Sequence, residues 1–335
     1  MHRPTTHAVP VLAAALGLVV SGCASDDAGE GYAGVPIRWI VPSSPGGGFD
    51  TTSRQMEPFL AEALGTTATV ENREGGGQAI GAQVMLSEGG AECTSIVTHG
   101  VPHLMFSYMT QAVDFDLSSF APVGGISIEP GIVRVMNSAP WQSIQELVDD
   151  ATARPGQIKF SVSLLQSNNY IALLQMEREL GIDLNIIGYD GGGPSRTALV
   201  SGEVDATHAG VFNSLAIADD SRVLAVSQPE NRWPDITNDA PPINEELGIE
   251  LPPNASNYGL FASAECRDNN PERYQALVDG LKATLENPDY LAALTELGEE
   301  SKVAYLTPDE LEDLAQQSQD EIELLLEGNP NAFSG

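Results

Sequence analysis

Three glycine runs mark places where the backbone itself could do chemistry. Pro42-Ser43-Ser44-Pro45-Gly46-Gly47-Gly48-Phe49-Asp50 leads into one amphipathic segment, Glu71-Asn72-Arg73-Glu74-Gly75-Gly76-Gly77 into a second, and Tyr189-Asp190-Gly191-Gly192-Gly193-Pro194-Ser195 into a third. Glycine lets the chain approach a ligand closely, and free amides at a helix N-terminus carry partial positive charge, so such loops can hold an anion without a basic side chain. The first run lacks the Gly-Lys-Ser/Thr of a phosphate-binding loop and the Gly-x-Gly-x-x-Gly of a dinucleotide site. Tight turns are the competing explanation for each run, with helix capping for Asp50 and turn hydrogen bonding for Ser43 and Ser44.

Side-chain chemistry is thinner. His99 and His103 stand four apart, but Pro102 interrupts the segment and no third ligand accompanies them, so neither a metal nor a cofactor is expected. A Gly-x-Ser-x-Gly elbow is missing, and nothing in the order of Ser, His and Asp sets up a triad. The enzyme reading that survives is an extracytoplasmic hydrolase or transferase using Ser43 or His99.

Short β-rich runs alternating with amphipathic stretches must position these groups. Strands are expected at 37–43, 67–73, 93–99 and 123–129, with helices after the first two. In the first helix Phe49, Met56, Phe59, Leu60, Ala63 and Leu64 share a face that Gly65 ends. A run at 131–137 is followed by helices at 142–153, 168–180 and 194–201 and strands at 158–163, 185–189, 206–212 and 223–227. A proline-rich loop at 229–253, a strand at 257–263 and helices over 271–326 complete an α/β pattern. It divides into a first lobe built from both ends of the chain, 35–132 and 257–335, and a second from the continuous middle, 133–256. Ligands of open α/β sheets gather at the carboxyl ends of strands, where the glycine runs lie.

Composition bounds the partners. The 335 residues hold 15 Lys plus Arg against 47 Asp plus Glu, a formal charge of −32, which excludes nucleic acid as a partner. With 42% hydrophobic residues the chain can bury a large core. At the N-terminus, His2 and Arg3 precede a twelve-residue apolar stretch from Val9 to Val20, too short to cross a bilayer comfortably. Val20-Ser21-Gly22-Cys23 resembles the bacterial lipobox. On that resemblance residues 1–22 are a signal peptide, Cys23 carries lipid, and 23–34 form a flexible tether holding the protein to the membrane by its lipid alone, outside the cytoplasm, at the cell surface or in the periplasm. An ordinary secretory signal is the alternative.

Further motifs extend the picture. Ile37-Arg38-Trp39-Ile40-Val41-Pro42, Pro45-Gly46-Gly47 with Asp50 and Arg54, and Val70-Glu71-Asn72-Arg73 with Gly75 and Gly81 resemble the opening of the tripartite tricarboxylate transporter substrate-binding receptors, the TctC or Bug family. The likeness continues through Pro155-Gly156, Tyr189-Asp190-Gly191, Gly202-Glu203-Val204-Asp205, Leu224-Ala225-Val226 and Pro234-Asp235-Ile236.

This resemblance implies an α/β, two-lobed periplasmic-binding-protein-like (type II) fold with a ligand cleft between the lobes. The protein would be a monomeric receptor that captures a small carboxylate and passes it to membrane transporter subunits; a ligand sensor for a signalling partner would share this cleft. Carried over by motif, the ligand set is Ser43, Gly47, Gly48 and Asp50 from the first loop, Thr98 and His99 ending the third strand, Ser161 and Ser163, then Tyr189, Gly191 and Gly192. Asp205 belongs to a matching motif but is as apt to orient structure as to touch ligand. His208 and Asn213 could face the cleft or be satisfied in the core. Once Cys23 is lipidated, Cys93 and Cys266 remain, and outside the cytoplasm two thiols suggest a disulfide. The resemblance implies that their strands are antiparallel neighbours, bringing both cysteines to the edge remote from ligand.

Overall fold

The computed structural model describes residues 31–328, so the apolar N-terminal segment and Cys23 lie outside the described residues. The first lobe opens with β1 (Ile37–Val41), α1 (Gly48–Ala63), β2 (Ala68–Asn72), α2 (Ala79–Ser87), β3 (Ser95–Val101) and α3 (His103–Met109). Every residue of β3 is buried, as befits a strand covered on both faces. Helix α1 lays Met56, Leu60 and Leu64 into a core with Trp39, Ile96 and Leu260, and Gly65, at φ +63°, lets the chain turn away. α3 was not expected. Pro102, read in the sequence as an interruption, is its N-cap, where a missing N–H costs nothing.

β4 (Phe120–Met136) is a single 17-residue strand where the sequence reads as two runs. Its partner changes where the sequence seems to break: up to Pro130 it pairs antiparallel with β9 (Ala255–Ser263), and from Gly131 onward with β7 (Ala206–Gly210) and β8 (Ser221–Val226). Proline is tolerated because the ladder changes hands there. Between β4 and β9 run α4 (Ile144–Ala153), β5 (Lys159–Val162), α5 (Asn168–Leu180), β6 (Asn185–Gly188) and α6 (Gly192–Ser201), then β7 and β8, then α7 (Pro234–Thr237) and α8 (Ile243–Leu247). Trp141, Leu147, Phe160, Leu173 and Leu224 form the core of this second lobe. After β9 come α9 (Ala264–Asn269), α10 (Pro271–Leu285), α11 (Pro288–Glu296), β10 (Val303–Leu306) and α12 (Pro308–Gly328). The sequence shows only helices here, because a four-residue edge strand carries too few alternations to register.

Among the described residues the strand order is β2-β1-β3-β9-β4-β7-β5-β6, with β8 and β10 also on β4. Only β4 and β9 therefore link the lobes along the sheet, and the lobes share a two-strand hinge. β3 and β9 are antiparallel, Val101 opposite Asn257 at the hinge end. At the other end Cys93 and Cys266 are bonded as a disulfide, with Cα atoms 5.0 Å apart. The described end of the expected tether is not loose. Tyr32 is fully buried, donates from Oη to the Cys93 carbonyl at 2.8 Å, and has the Arg273 guanidinium 5.9 Å above its ring.

Candidate functional site

A cavity of about 50 Å3 lies between the lobes. The first lobe contributes Ser43, Gly47, Gly48, Phe49, Gln78 and His103; the hinge strands contribute Glu129, Ser256 and Tyr258; the second lobe contributes Ser163, Asn168, Asn169, Gly191, Gly192, Ser195, Arg196, His208 and Asn213. Two helix N-termini meet here. α1 begins after Gly47 and α6 after Gly191, and neither start is capped by a side chain, so their first amides are left for whatever occupies the cavity. Glycine is needed at these starts for closeness. A Cβ on Gly48 would lie 2.0 Å from Asn213 Oδ1 and 2.3 Å from Tyr258 Oη, and one on Gly191, already at φ +135°, 2.2 Å from Ser44 Oγ.

Asp50 shapes the first loop from behind. Its Oδ2 accepts from the Gly46 amide at 2.8 Å, while Oδ1 accepts from Arg54 Nε at 2.8 Å and Asn72 Nδ2 at 2.9 Å. Asn72 Nδ2 also donates to the Ser43 carbonyl at 2.9 Å, which ties the second glycine run to the first.

The lining is polar but sparsely charged. His208 is held between Asn169 Oδ1 and Ser227 Oγ, each at 3.0 Å, and His103 Nδ1 is 3.3 Å from Ser256 Oγ. Burial pushes His103 down to about 4 and His208 down to about 3, so both are neutral at physiological pH. Arg196 is the cation of the lining, lowered from its ordinary value by burial. Glu129 is pushed up to about 8, chiefly by burial, against the pull of Lys302 and the Asn213 amide. Ser43 Oγ, Gln78 Oε1 and Asn168 Oδ1 are buried with no hydrogen-bond partner among the described residues. A buried polar atom left unpaired is costly, so these three are places for ligand or water to bind.

Of the residues the resemblance implied, the structure brings Ser43, Gly47, Gly48, Ser163, Gly191, Gly192 and His208 to the cavity, and Asn213, the other cleft candidate, lines it too. It places six elsewhere. Asp50 holds the loop. Thr98 Oγ1 is buried in the core, accepting from Trp39 Nε1 at 2.7 Å and bonded to Ser53 Oγ at 2.8 Å. His99 is fully buried with its ring 6.0 Å from Phe49, so it touches a lining residue rather than the cavity. Ser161 meets Ser195 Oγ at 2.9 Å and supports α6. Tyr189 turns outward to donate to Glu203 Oε1 at 3.0 Å. Asp205 accepts from the Lys159 amide at 2.8 Å, at the start of β5 and away from its cavity end.

The lining residues missed by the sequence reading have local logic. Asn168 and Asn169 open α5 just after β5, and Ser195 and Arg196 follow the third glycine run. Glu129, Ser256 and Tyr258 sit on β4 and β9, the strands that cross between the lobes, where no local motif marks them.

The tripartite tricarboxylate transporter family receptor model, TctC, matches residues 52–327. The chain belongs to this family. TctC receptors are binding proteins, and the chain is a receptor rather than an enzyme. A protein encoded in the tcbD-tcbE intergenic region of Pseudomonas sp. strain P51 is 26% identical over 282 residues, covering 83% of this chain and 82% of its own. Among solved structures, R. palustris Rpa4515 with adipate is 24% identical with a TM-score of 0.76, over 87% of this chain and 96% of its own. MatC from Rhodopseudomonas palustris with bound malate is 21% identical with a TM-score of 0.73, over 86% and 97%. At these identities the structures establish a shared two-lobed periplasmic-binding-protein-like fold.

Proposed function

We propose that this TctC receptor is an extracytoplasmic, lipid-anchored protein that captures a small organic ligand bearing a carboxylate and delivers it to the membrane subunits of a tripartite tricarboxylate-type transporter. The observation that carries this reading is the convergence of the uncapped starts of α1 and α6, one from each lobe, on a single buried cavity. An anion there is held by amides of both lobes at once, so binding and closure are the same event. Adipate and malate in structures of the same fold support the ligand class. At about 50 Å3 the cavity fits a compact solute and falls well below the roughly 300 Å3 or more of sites for drug-sized molecules. The anchor rests on Val20-Ser21-Gly22-Cys23; among the described residues no helix is long and apolar enough to cross a membrane.

A thermal-shift screen of small carboxylates tests the ligand class. A ligand at a hundred times its Kd stabilises the folded state by about 2.7 kcal/mol, a shift easily read. Failure of every small organic acid at millimolar concentration would defeat the reading. Mass spectrometry of the protein from its own envelope tests the anchor, with a lipid-modified Cys23 at the mature N-terminus expected and an unmodified Cys23 contradicting it.

A further inference from the structure

The carboxyl of Glu129 faces the cavity from the hinge strand β4 and is 4% exposed. Its Oε2 lies 3.4 Å from the Asn213 backbone amide, the Phe212 backbone amide also favours its ionised form, and among the described residues it forms no ion pair. Two further acceptors share the cavity. Asn254 Nδ2 donates to the Asn168 carbonyl at 2.8 Å, which turns Asn254 Oδ1 toward Asn168 Nδ2 at 2.9 Å and leaves Asn168 Oδ1 without a donor. Gln78 Oε1 is likewise unpaired and buried.

A ligand made only of carboxylates brings acceptors and no donor, so it would leave Asn168 Oδ1 and Gln78 Oε1 unpaired and could be met by Glu129 only as a protonated carboxyl, whereas an ionised Glu129 repels it. An ammonium brings three N–H donors and one positive charge. The same cavity also offers an amide pole, Arg196 with the amides at the starts of α1 and α6, which suits a carboxylate. Resting on the solute-receptor reading above, we infer that the ligand is zwitterionic, an amino acid or close analogue, with its ammonium on Glu129, Asn168 and Gln78 and its carboxylate on the amide pole. Specificity for the amine would then come from one side chain, Glu129.

Calorimetry on the mature full-length protein tests this with matched pairs differing only by the amine: aspartate and succinate, glutamate and glutarate, 2-aminoadipate and adipate, alanine and propionate, leucine and 4-methylpentanoate. At least one amino acid should bind, its deaminated partner at least thirty-fold more weakly, and Glu129→Gln should weaken the amino acid at least thirty-fold. Should a deaminated partner bind as tightly or more tightly, the inference falls while the receptor reading stands; should no member of any pair bind, both fall.

A second readout needs no variant. Titration of the wild-type protein at pH 7 in two buffers of different ionisation enthalpy should show proton release as the amino acid binds, because Glu129 ionises opposite the ammonium. Of the groups around it, His103 and His208 are already neutral and burial and Glu129 together raise Tyr258, so none of these supplies that proton; Arg196 and the Lys302–Glu299 ion pair are its other ionisable neighbours. Proton uptake, or no proton change, would overturn the assignment.

Discussion

Arg196 Nη2 donates to the carbonyl oxygen of Gly46 at 2.6 Å, joining the start of α6 in one lobe to the first glycine run in the other. The two residues are 150 positions apart and lie on opposite lobes, so separating the lobes would break the bond. It is partly exposed, so its contribution to closure is about 1 kcal/mol. Arg196→Ala should therefore lower ligand affinity by roughly five-fold through closure alone, more if the guanidinium also holds the carboxylate, and should increase the ligand-free radius of gyration in small-angle scattering. Unchanged affinity and scattering would remove the latch.

Gly48 gives a sharper test of closure. The atoms that a Cβ there would strike include the Asn213 amide, which belongs to the opposite lobe. Opening relieves the Asn213 clash but not the one with Tyr258 Oη on the hinge strand β9, so Gly48→Ala should cost affinity, at least ten-fold by calorimetry, and should also lower the melting temperature of the ligand-free protein. Gly47→Ala should be milder, since the nearest atom to its Cβ would be the Ser44 carbonyl at 3.2 Å.

Stability should peak near pH 6.5, with different groups setting each side. His99, His103 and His208 have folded-state values of about 3, 4 and 3, below the ordinary 6.5, so the unfolded chain binds their protons first and stability falls as pH drops below 6.5. Glu129 works in the other sense. Its folded value of about 8 lies above the ordinary 4.5, so the folded state holds the proton between those limits and stability falls as pH rises toward 8. Chemical denaturation from pH 5 to 9 should show both limbs, and Glu129→Gln should flatten the alkaline one and steepen the rise between pH 5 and 6.5, where Glu129 opposes the histidines.

The Cys93–Cys266 disulfide closes a separation of 173 residues at the end of β3 and β9 away from the hinge. Replacing both cysteines with serine should lower the denaturation free energy by up to about 5 kcal/mol on chain-entropy grounds. Ligand affinity should hardly change, because the bridge ties α9 to the first lobe without spanning the cleft. A large loss of affinity at unchanged stability would contradict this.

Much of this architecture was legible in the sequence because its signals are local. The helix over 168–180 was read with the same bounds that the structure gives it, since Ser167 caps the start and Gly181, at φ +65°, ends it. The first and third glycine runs pointed to the cleft for a physical reason, as closeness of backbone is what two meeting helix starts require, whereas none of Gly75, Gly76 and Gly77 of the second run lines the cavity. Thr98 and His99 were implied for the cleft by their place at a strand end, but β3 is buried on both faces and its end faces Phe49 and Trp39. Glu129 was illegible because its chemistry depends on a partner change in β4 that only the three-dimensional pairing reveals.

The central claim is that one small organic anion is held between the lobes by the two helix starts. Isothermal titration of the mature protein and its Gly48→Ala variant with a ligand from the carboxylate and amino acid panels tests it most directly. The account predicts saturable one-to-one binding by the wild-type protein and at least a ten-fold loss in the variant. Equal affinity in the two proteins would place the ligand outside this cavity and contradict it.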